Sequence, residues 1–222
     1  MSKIEIFIVE PDTIQRRQEI IESALKSSFD LQVGGLKFLI DKSGKPRLAL
    51  VDGHQIFYSF SHARKVSHPF GIAAVSFDIE LGIDIELWPV GLADPDFLQA
   101  ISTSEDEAAL VALNFCQRDS GIALWVIKEA ALKCTGEVMI DPRYLAVDYE
   151  GAGAFLVRSS ALAGAPHPEI RVRLFVLKGA HLPHGQFIFG VAMSAGCDAG
   201  VVIDPSLSSP DQRWLLEGCV TL

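Results

Sequence analysis

The sequence predicts an α+β fold made of two halves, each combining helix with antiparallel-type sheet. Apolar residues alternate over short runs in both halves, as in half-buried strands, and helical patterns accompany them. The 222 residues, 49% of them hydrophobic, suffice for one large domain or for two lobes of about a hundred residues. Because residues 87–96 contain two prolines and a glycine, we interpret them as a connector. We therefore divide the chain into an N-terminal lobe with connector, 1–96, and a C-terminal lobe, 97–222.

In the first half, alternation over residues 3–10 predicts a strand. Residues 12–26 predict a helix with Ile21 and Leu25 on its apolar face. Further strands are predicted over residues 36–40, 55–60, 72–78 and 82–86.

In the second half, residues 104–107, Ser-Glu-Asp-Glu, form a capping-box pattern ahead of an apolar run, which predicts the start of a helix. A second helix is predicted from about residue 121 to residue 133, and it ends near Gly136, where glycine can adopt the left-handed conformation. The remaining strands are predicted over residues 144–149, 154–158, 170–178 and 186–193.

The first candidate site segment is Gly-Ile-Asp-Ile-Glu at residues 82–86. In a strand, alternate residues share a face, so Ile83 and Ile85 can point into a core while Asp84 and Glu86 project together on the other side. The segment alone is equally compatible with an amphipathic strand whose acidic face is hydrated.

The second candidate segment, residues 125–133, lies in the predicted second helix. Residues four apart share a helix face, so Trp125, Glu129 and Lys133 form one stripe. By itself the Glu129–Lys133 spacing is also that of an ordinary exposed ion pair. Together the two segments supply three carboxylates and a lysine. Such a group is suited to holding magnesium against a phosphate chain, because this cation prefers oxygen ligands and often shares them with substrate phosphates.

Two more short segments precede these, Gly-Lys-Pro at residues 44–46 and Ser-His at residues 61–62. The ordered set resembles the surfactin-synthetase-activating type of 4'-phosphopantetheinyl transferase. That family's pattern runs Gly-Lys-Pro, Phe-Asn-x-Ser-His-Ser, Gly-x-Asp-x-Glu, and Trp-x-x-Lys-Glu-Ala with a lysine four residues after the glutamate. The last two motifs match fully, whereas in the second only Ser61 and His62 are carried over. The usual residues around that pair are replaced by Tyr58, Ser59 and Ala63.

The resemblance implies transfer of 4'-phosphopantetheine from coenzyme A to a serine of an apo acyl or peptidyl carrier protein, with magnesium as the metal. The product released would be 3',5'-adenosine bisphosphate, and the pathway would be fatty acid, polyketide or nonribosomal peptide synthesis. It also implies two similar, pseudo-twofold-related lobes, each a mainly antiparallel sheet packed with helix, with the coenzyme in the cleft between them. A chain of this length would supply both halves, so we expect a monomer.

The resemblance further implies a role for each matching residue. Asp84, Glu86 and Glu129 are the expected magnesium ligands, and Glu129, or a water it orients, is the expected acceptor of the serine proton. Lys133 is expected to balance negative charge on the diphosphate and leaving group, with Lys128 as a helper. The residues expected to contact the nucleotide end of the coenzyme are Arg17, Lys45, Pro46, Ser61 and His62.

The composition excludes several other classes. A net charge of −9 argues against a nucleic-acid partner, because phosphate backbones are bound by concentrated lysine and arginine. No apolar run approaches the roughly 18 residues of a membrane helix, so we expect a cytoplasmic protein without membrane contact. The four cysteines are far apart and lack Cys-x-x-Cys spacing, which indicates reduced thiols and neither zinc nor disulfides.

Two alternatives stay open at the level of sequence. One is a noncatalytic module that binds coenzyme A or a carrier protein, and the other is a magnesium-dependent phosphotransferase acting on another nucleotide. Leu87 follows Glu86 where many relatives have lysine or arginine, so coenzyme affinity or carrier choice can differ. The presence of both Glu129 and Lys133 favours catalysis over mere binding.

Overall fold

The structure is a computed structural model. It describes residues 3–9, 19, 21–23, 25–26, 37–40, 46–49, 55–63, 70–77, 79–88, 95–113, 117–137, 140–164, 166–179, 186–197, 199–203 and 214–219. The strands are β1 (Lys3–Val9), β2 (Lys37–Ile40), β3 (Pro46–Ala49), β4 (Gln55–Ala63), β5 (Phe70–Phe77), β6 (Leu81–Trp88), β7 (Leu145–Gly151), β8 (Ala154–Ser159), β9 (Ile170–Gly179), β10 (Gln186–Ser194), β11 (Gly200–Ile203) and β12 (Trp214–Cys219). The helices are α1 (Pro95–Ile101), α2 (Glu107–Leu113) and α3 (Gln117–Thr135), with short 3-10 turns at Ser104–Asp106 and Pro142–Tyr144.

The strands form two sheets. The first has the order β11-β1-β5-β4-β3-β2, and the second has the order β6-β10-β9-β8-β7, with β12 pairing to β9. Only the β1–β11 pair is parallel among the pairs of the described strands. The predicted α+β class with antiparallel-rich sheets is therefore confirmed.

The sheets exchange strands across the predicted lobe boundary. β6, which precedes residue 96, pairs along its whole length with β10. β11, from the other end of the chain, pairs with β1 in the first sheet. The division between the sheets therefore does not coincide with the predicted division of the chain at residue 96, and β6 joins the second sheet as an edge strand.

The described elements form four layers, namely a helical segment, the first sheet, the second sheet and the three helices, with buried apolar side chains between them. Between the sheets, Ile83 and Ile85 of β6 belong to the same core cluster as Ile4 and Ile6 of β1. On the outer face of the first sheet, Ile21 and Leu25 of a helical segment pack against Phe7 and Val75. On the outer face of the second sheet lie α1, α2 and α3. Among the described residues, none of the helices combines the length and the apolar character that a membrane span requires.

Several predicted boundaries shift in ways that matter for the site. The strand predicted over residues 55–60 continues to Ala63, so Ser61 and His62 lie on β4. The capping box begins one residue earlier than predicted. Thr103 caps the turn, and the Asp106 side chain accepts a hydrogen bond from the backbone N–H of Thr103. The predicted end of the second helix is confirmed, since Gly136 has a φ of 81° just beyond α3.

Candidate functional site

β6 presents one apolar and one polar face, as its alternation predicts. Ile83 and Ile85 are completely buried between the sheets. Gly82, Asp84 and Glu86 occupy the other face, which is packed against α3. The Asp84 residue is only 4% exposed, whereas Glu86 is partly exposed. The acidic face is therefore not a simple hydrated surface at Asp84.

Gly82 allows α3 to approach β6 to backbone contact. A Cβ atom at this position would lie 2.1 Å from the carbonyl oxygen of Ala130 and 2.4 Å from the amide nitrogen of Cys134. Any side chain larger than hydrogen would push the helix away from the strand. The glycine therefore sets the distance at which Lys133 of the helix can reach Asp84 of the strand.

Asp84, Ser61, Lys133 and Glu129 meet where β4, β6 and α3 join, and we call these four residues the Asp84 cluster. The Lys133 Nζ lies 2.7 Å from the Asp84 Oδ1, and the Ser61 hydroxyl donates to the same oxygen at 2.8 Å. Lys133 Nζ also donates to the Ser61 Oγ at 3.1 Å. The Glu129 carboxylate lies 4.0 Å from Lys133 Nζ, one helical turn back. The two sequence motifs are thus in direct contact.

Two serines of β4 cap the edge of β6. The Ile83 N–H donates to the Ser59 Oγ at 3.1 Å, and the Ile85 N–H donates to the Ser61 Oγ at 3.4 Å. An edge strand otherwise presents unpaired amides, which are costly when buried. Sequence reasoning missed Ser59, which entered only as a departure from the family pattern. Its spacing of two from Ser61 on one strand face was the available signal.

Burial and charge act in opposite directions on Asp84. Desolvation raises the pKa of this carboxyl above its usual value, while the charge of Lys133 and the hydrogen bonds from Lys133 and Ser61 act to lower it. The Asp84 Oδ2 is buried and has no hydrogen-bond partner among the described residues. One oxygen of the carboxylate, Oδ1, is thus held in place. The other, Oδ2, lacks a hydrogen-bond partner among the described residues, and we call it the bare oxygen.

The pH dependence of stability is expected to reveal this buried carboxyl. The pKa of Asp84 is raised on folding, so above pH 3.8 the folded state binds more protons than the unfolded state. The stability that Asp84 contributes is therefore lost as the pH rises through its folded pKa. The stability of Asp84→Asn relative to wild type should therefore increase from pH 4 to pH 7. Urea unfolding in EDTA at both pH values measures the difference, and a relative stability that falls with pH would contradict the assignment.

Lys128 lies outside the Asp84 cluster. Its ammonium is fully buried and donates to the carbonyl oxygens of Ile101 and Leu145 and to the Asp106 Oδ2, at 2.9, 2.8 and 2.8 Å. Burial lowers the pKa of Lys128, and the adjacent Asp106 carboxylate opposes that shift. All three ammonium hydrogens have acceptors inside the core, so Lys128 has no hydrogen left to donate to a phosphate group.

Of the residues expected at the nucleotide end, Ser61 instead bonds to Asp84 and Lys133 in the cluster, and the others are only partly described. His62 is exposed, and its ring is stacked on Phe60 with the centroids 6.4 Å apart. Because it follows Ser61 on a strand, it faces away from the Asp84 cluster. Pro46 is the first residue of β3, which pairs with β4. Arg17 and Lys45 lie outside the described residues.

The predicted set of three carboxylates is not seen as a preformed metal group. Within the described ranges, no three histidine, cysteine, aspartate or glutamate side chains are arranged to hold a metal ion. Magnesium, however, is usually held by one or two carboxylates together with substrate phosphates and waters. The bare Asp84 Oδ2, with Glu129 beside the shared lysine, fits that smaller requirement.

No protein-family model matches the chain, and none of the curated proteins compared with it does so either. The function is therefore inferred from the residues of the Asp84 cluster and their geometry. These define a class of site, namely a buried carboxylate with one bare oxygen, held by a lysine and a serine between two sheets and a helix. Oxygen ligands beside a cation are suited to binding a divalent metal together with a phosphate group.

Proposed function

We propose that the protein transfers the 4'-phosphopantetheine group of coenzyme A to a serine of an apo acyl or peptidyl carrier protein, with magnesium. The observation that carries this proposal is the 2.7 Å contact between Lys133 Nζ and Asp84 Oδ1. These residues belong to the two motifs that match the transferase family fully, and they are 49 positions apart in the chain. A shared site for both motifs is what the reaction requires.

The reaction is a displacement at the β-phosphate of coenzyme A. The carrier serine Oγ forms a bond to phosphorus, and the bond from that phosphorus to the bridging oxygen breaks, which releases 3',5'-adenosine bisphosphate. The serine proton passes to Glu129 or to a water that Glu129 orients. Little of the barrier can be removed by covalent help from the protein, so positioning and charge stabilisation must dominate.

The Asp84 cluster offers both positioning and charge stabilisation. Asp84, Glu86 and Glu129 would hold magnesium, and the metal when bound would offset negative charge on the diphosphate. Lys133, partly exposed and already directed at this point, supplies a second positive charge for the leaving phosphate. Ser61 keeps the Asp84 carboxylate and the lysine in a fixed relation, because its hydroxyl bonds to both.

We further propose that the nucleotide end of the coenzyme lies toward Lys45, Pro46 and His62, with Arg17 at the 3'-phosphate. We propose two pseudo-twofold-related lobes, a monomer, and a cytoplasmic location, which suits an enzyme that consumes coenzyme A. The net charge of −9 gives no general attraction to an acidic carrier, so docking would depend on a local basic patch or on apolar contact.

The proposal is tested by incubating the protein with coenzyme A, magnesium and a panel of apo carrier proteins, and measuring the carriers by intact-mass spectrometry. We expect at least one carrier to gain the mass of a single phosphopantetheine group. The control is the same carrier with its acceptor serine replaced by alanine, which should gain nothing. Retention of coenzyme A without modification of any carrier would contradict the proposal and identify a binding module.

A further inference from the structure

The buried ion pair between Lys128 and Asp106 lies outside the Asp84 cluster and has no direct part in the proposed reaction. Both side chains are 0% exposed, and the Lys128 Nζ lies 2.8 Å from the Asp106 Oδ2. The same Asp106 oxygen accepts from the Thr103 N–H at 2.7 Å, and the other oxygen accepts from the Val147 N–H at 2.8 Å. The pair is therefore fully hydrogen-bonded, as a buried pair must be if it is not to destabilise the fold.

This network joins four elements at one point. Lys128 projects from α3, and its acceptors come from the last residue of α1, the 3-10 turn at Ser104–Asp106 and the first residue of β7. An apolar side chain could fill the same space from several rotations of the helix. An ammonium with three fixed acceptors permits only one rotation of the helix, because each hydrogen must point at its own oxygen.

The rotation of α3 determines where the site residues point. Glu129 is the next residue, and Lys133 lies one helical turn further on the same face as Glu129. On the side of the helix near β6, Ala130 and Cys134 contact the backbone at Gly82, which sets the distance of approach. The three acceptors of Lys128 add a second, directional constraint, which acts on the rotation of the helix about its axis.

We propose that Lys128 is a positioning residue, whose bonds to Asp106, Ile101 and Leu145 fix the rotation of α3 so that Lys133 and Glu129 face Asp84. The best-attested use of such buried pairs is to select one arrangement of the chain over near alternatives. The inference rests on the proposed function for its link to catalysis, but the geometric part stands on the described contacts alone.

The test compares a pair variant, Lys128→Met with Asp106→Asn, with Leu113→Ala as the matched control. Leu113 of α2 is fully buried in the core cluster that packs around α3, so its truncation lowers stability without touching the polar network. Acetic anhydride labelling of Lys133, measured by peptide mass spectrometry against the exposed Lys26, reports how well the lysine is held at Asp84. All variants are labelled at a temperature where circular dichroism shows them folded.

We expect the pair variant to raise labelling of Lys133 several-fold and to lower kcat for carrier modification, with little change in the KM for coenzyme A. Leu113→Ala should change neither the labelling nor kcat. If the pair variant does not fold, Asp106→Asn alone should show the same changes to a smaller extent.

Unchanged labelling in the pair variant, or an equal rise in Leu113→Ala, would overturn the positioning role. A rise in labelling with unchanged kcat would overturn its link to the reaction. If the wild-type protein modifies no carrier, the proposed function fails, while the labelling result still decides whether Lys128 sets the rotation of the helix.

Discussion

Asp84→Ala and Glu129→Ala are each expected to abolish carrier modification while coenzyme A binding survives in part. Asp84 provides the bare buried oxygen of the cluster, and Glu129 provides the carboxylate on the facing helix. Removal of one group that stabilises charge in a transition state typically costs about 10²–10³ in kcat, and loss of a metal ligand should cost at least this much. Carrier modification followed by mass spectrometry, with calorimetry of coenzyme A binding, measures both effects.

Glu107→Ala is the matched control for these two variants. Glu107 is an exposed carboxylate at the start of α2, in the same half of the chain as Glu129. The control should retain full activity, since it removes a negative charge without touching the cluster. Full activity in Asp84→Ala or Glu129→Ala would refute the metal assignment.

Gly82→Ala is expected to lower both stability and activity. The added Cβ would meet backbone atoms at 2.1 and 2.4 Å, and backbone cannot move aside as the end of a flexible side chain can. Overpacking of this kind usually costs about 1–3 kcal/mol in the free energy of unfolding, and we expect a value at or above the top of that range. The displaced α3 should also carry Lys133 away from Asp84.

The matched control is Gly196→Ala, because nothing lies within 4 Å of a Cβ built at Gly196. Urea unfolding should show little change for this control and a large loss for Gly82→Ala. Equal stability of the two variants would contradict the proposed close approach of helix and strand.

Much of the fold could be predicted from periodicity. The alternation of β9 and the apolar stripe of α3 are strong local signals, and both elements form within a few residues of the expected bounds. The pairing of β6 with β10, across the predicted boundary, could not be predicted. Strand partners depend on long-range packing, and the alternating pattern of β6 carries no information about which sheet it will join.

The site could be predicted in part for a similar reason. Local spacing correctly put Glu129 and Lys133 on one helix face, and the Asp84–Lys133 contact follows the expected meeting of two motifs. Spacing carried a signal for Lys128 that sequence reasoning missed, since it lies four residues after the buried Leu124 on the apolar face of α3, but its hydrogen-bond acceptors could not be predicted. Its burial depends on acceptors from α1, the 103–106 turn and β7, which only the folded chain brings together.

Asp84 and Glu129 are proposed to share one divalent ion, bound against the diphosphate of coenzyme A. Diffraction from crystals grown with coenzyme A and manganese, whose anomalous signal marks the metal, tests this proposal most directly. We expect one ion bonded to oxygens of both carboxylates, next to the diphosphate. A metal bound elsewhere, or Asp84 and Glu129 too far apart to share it, would refute a shared ion.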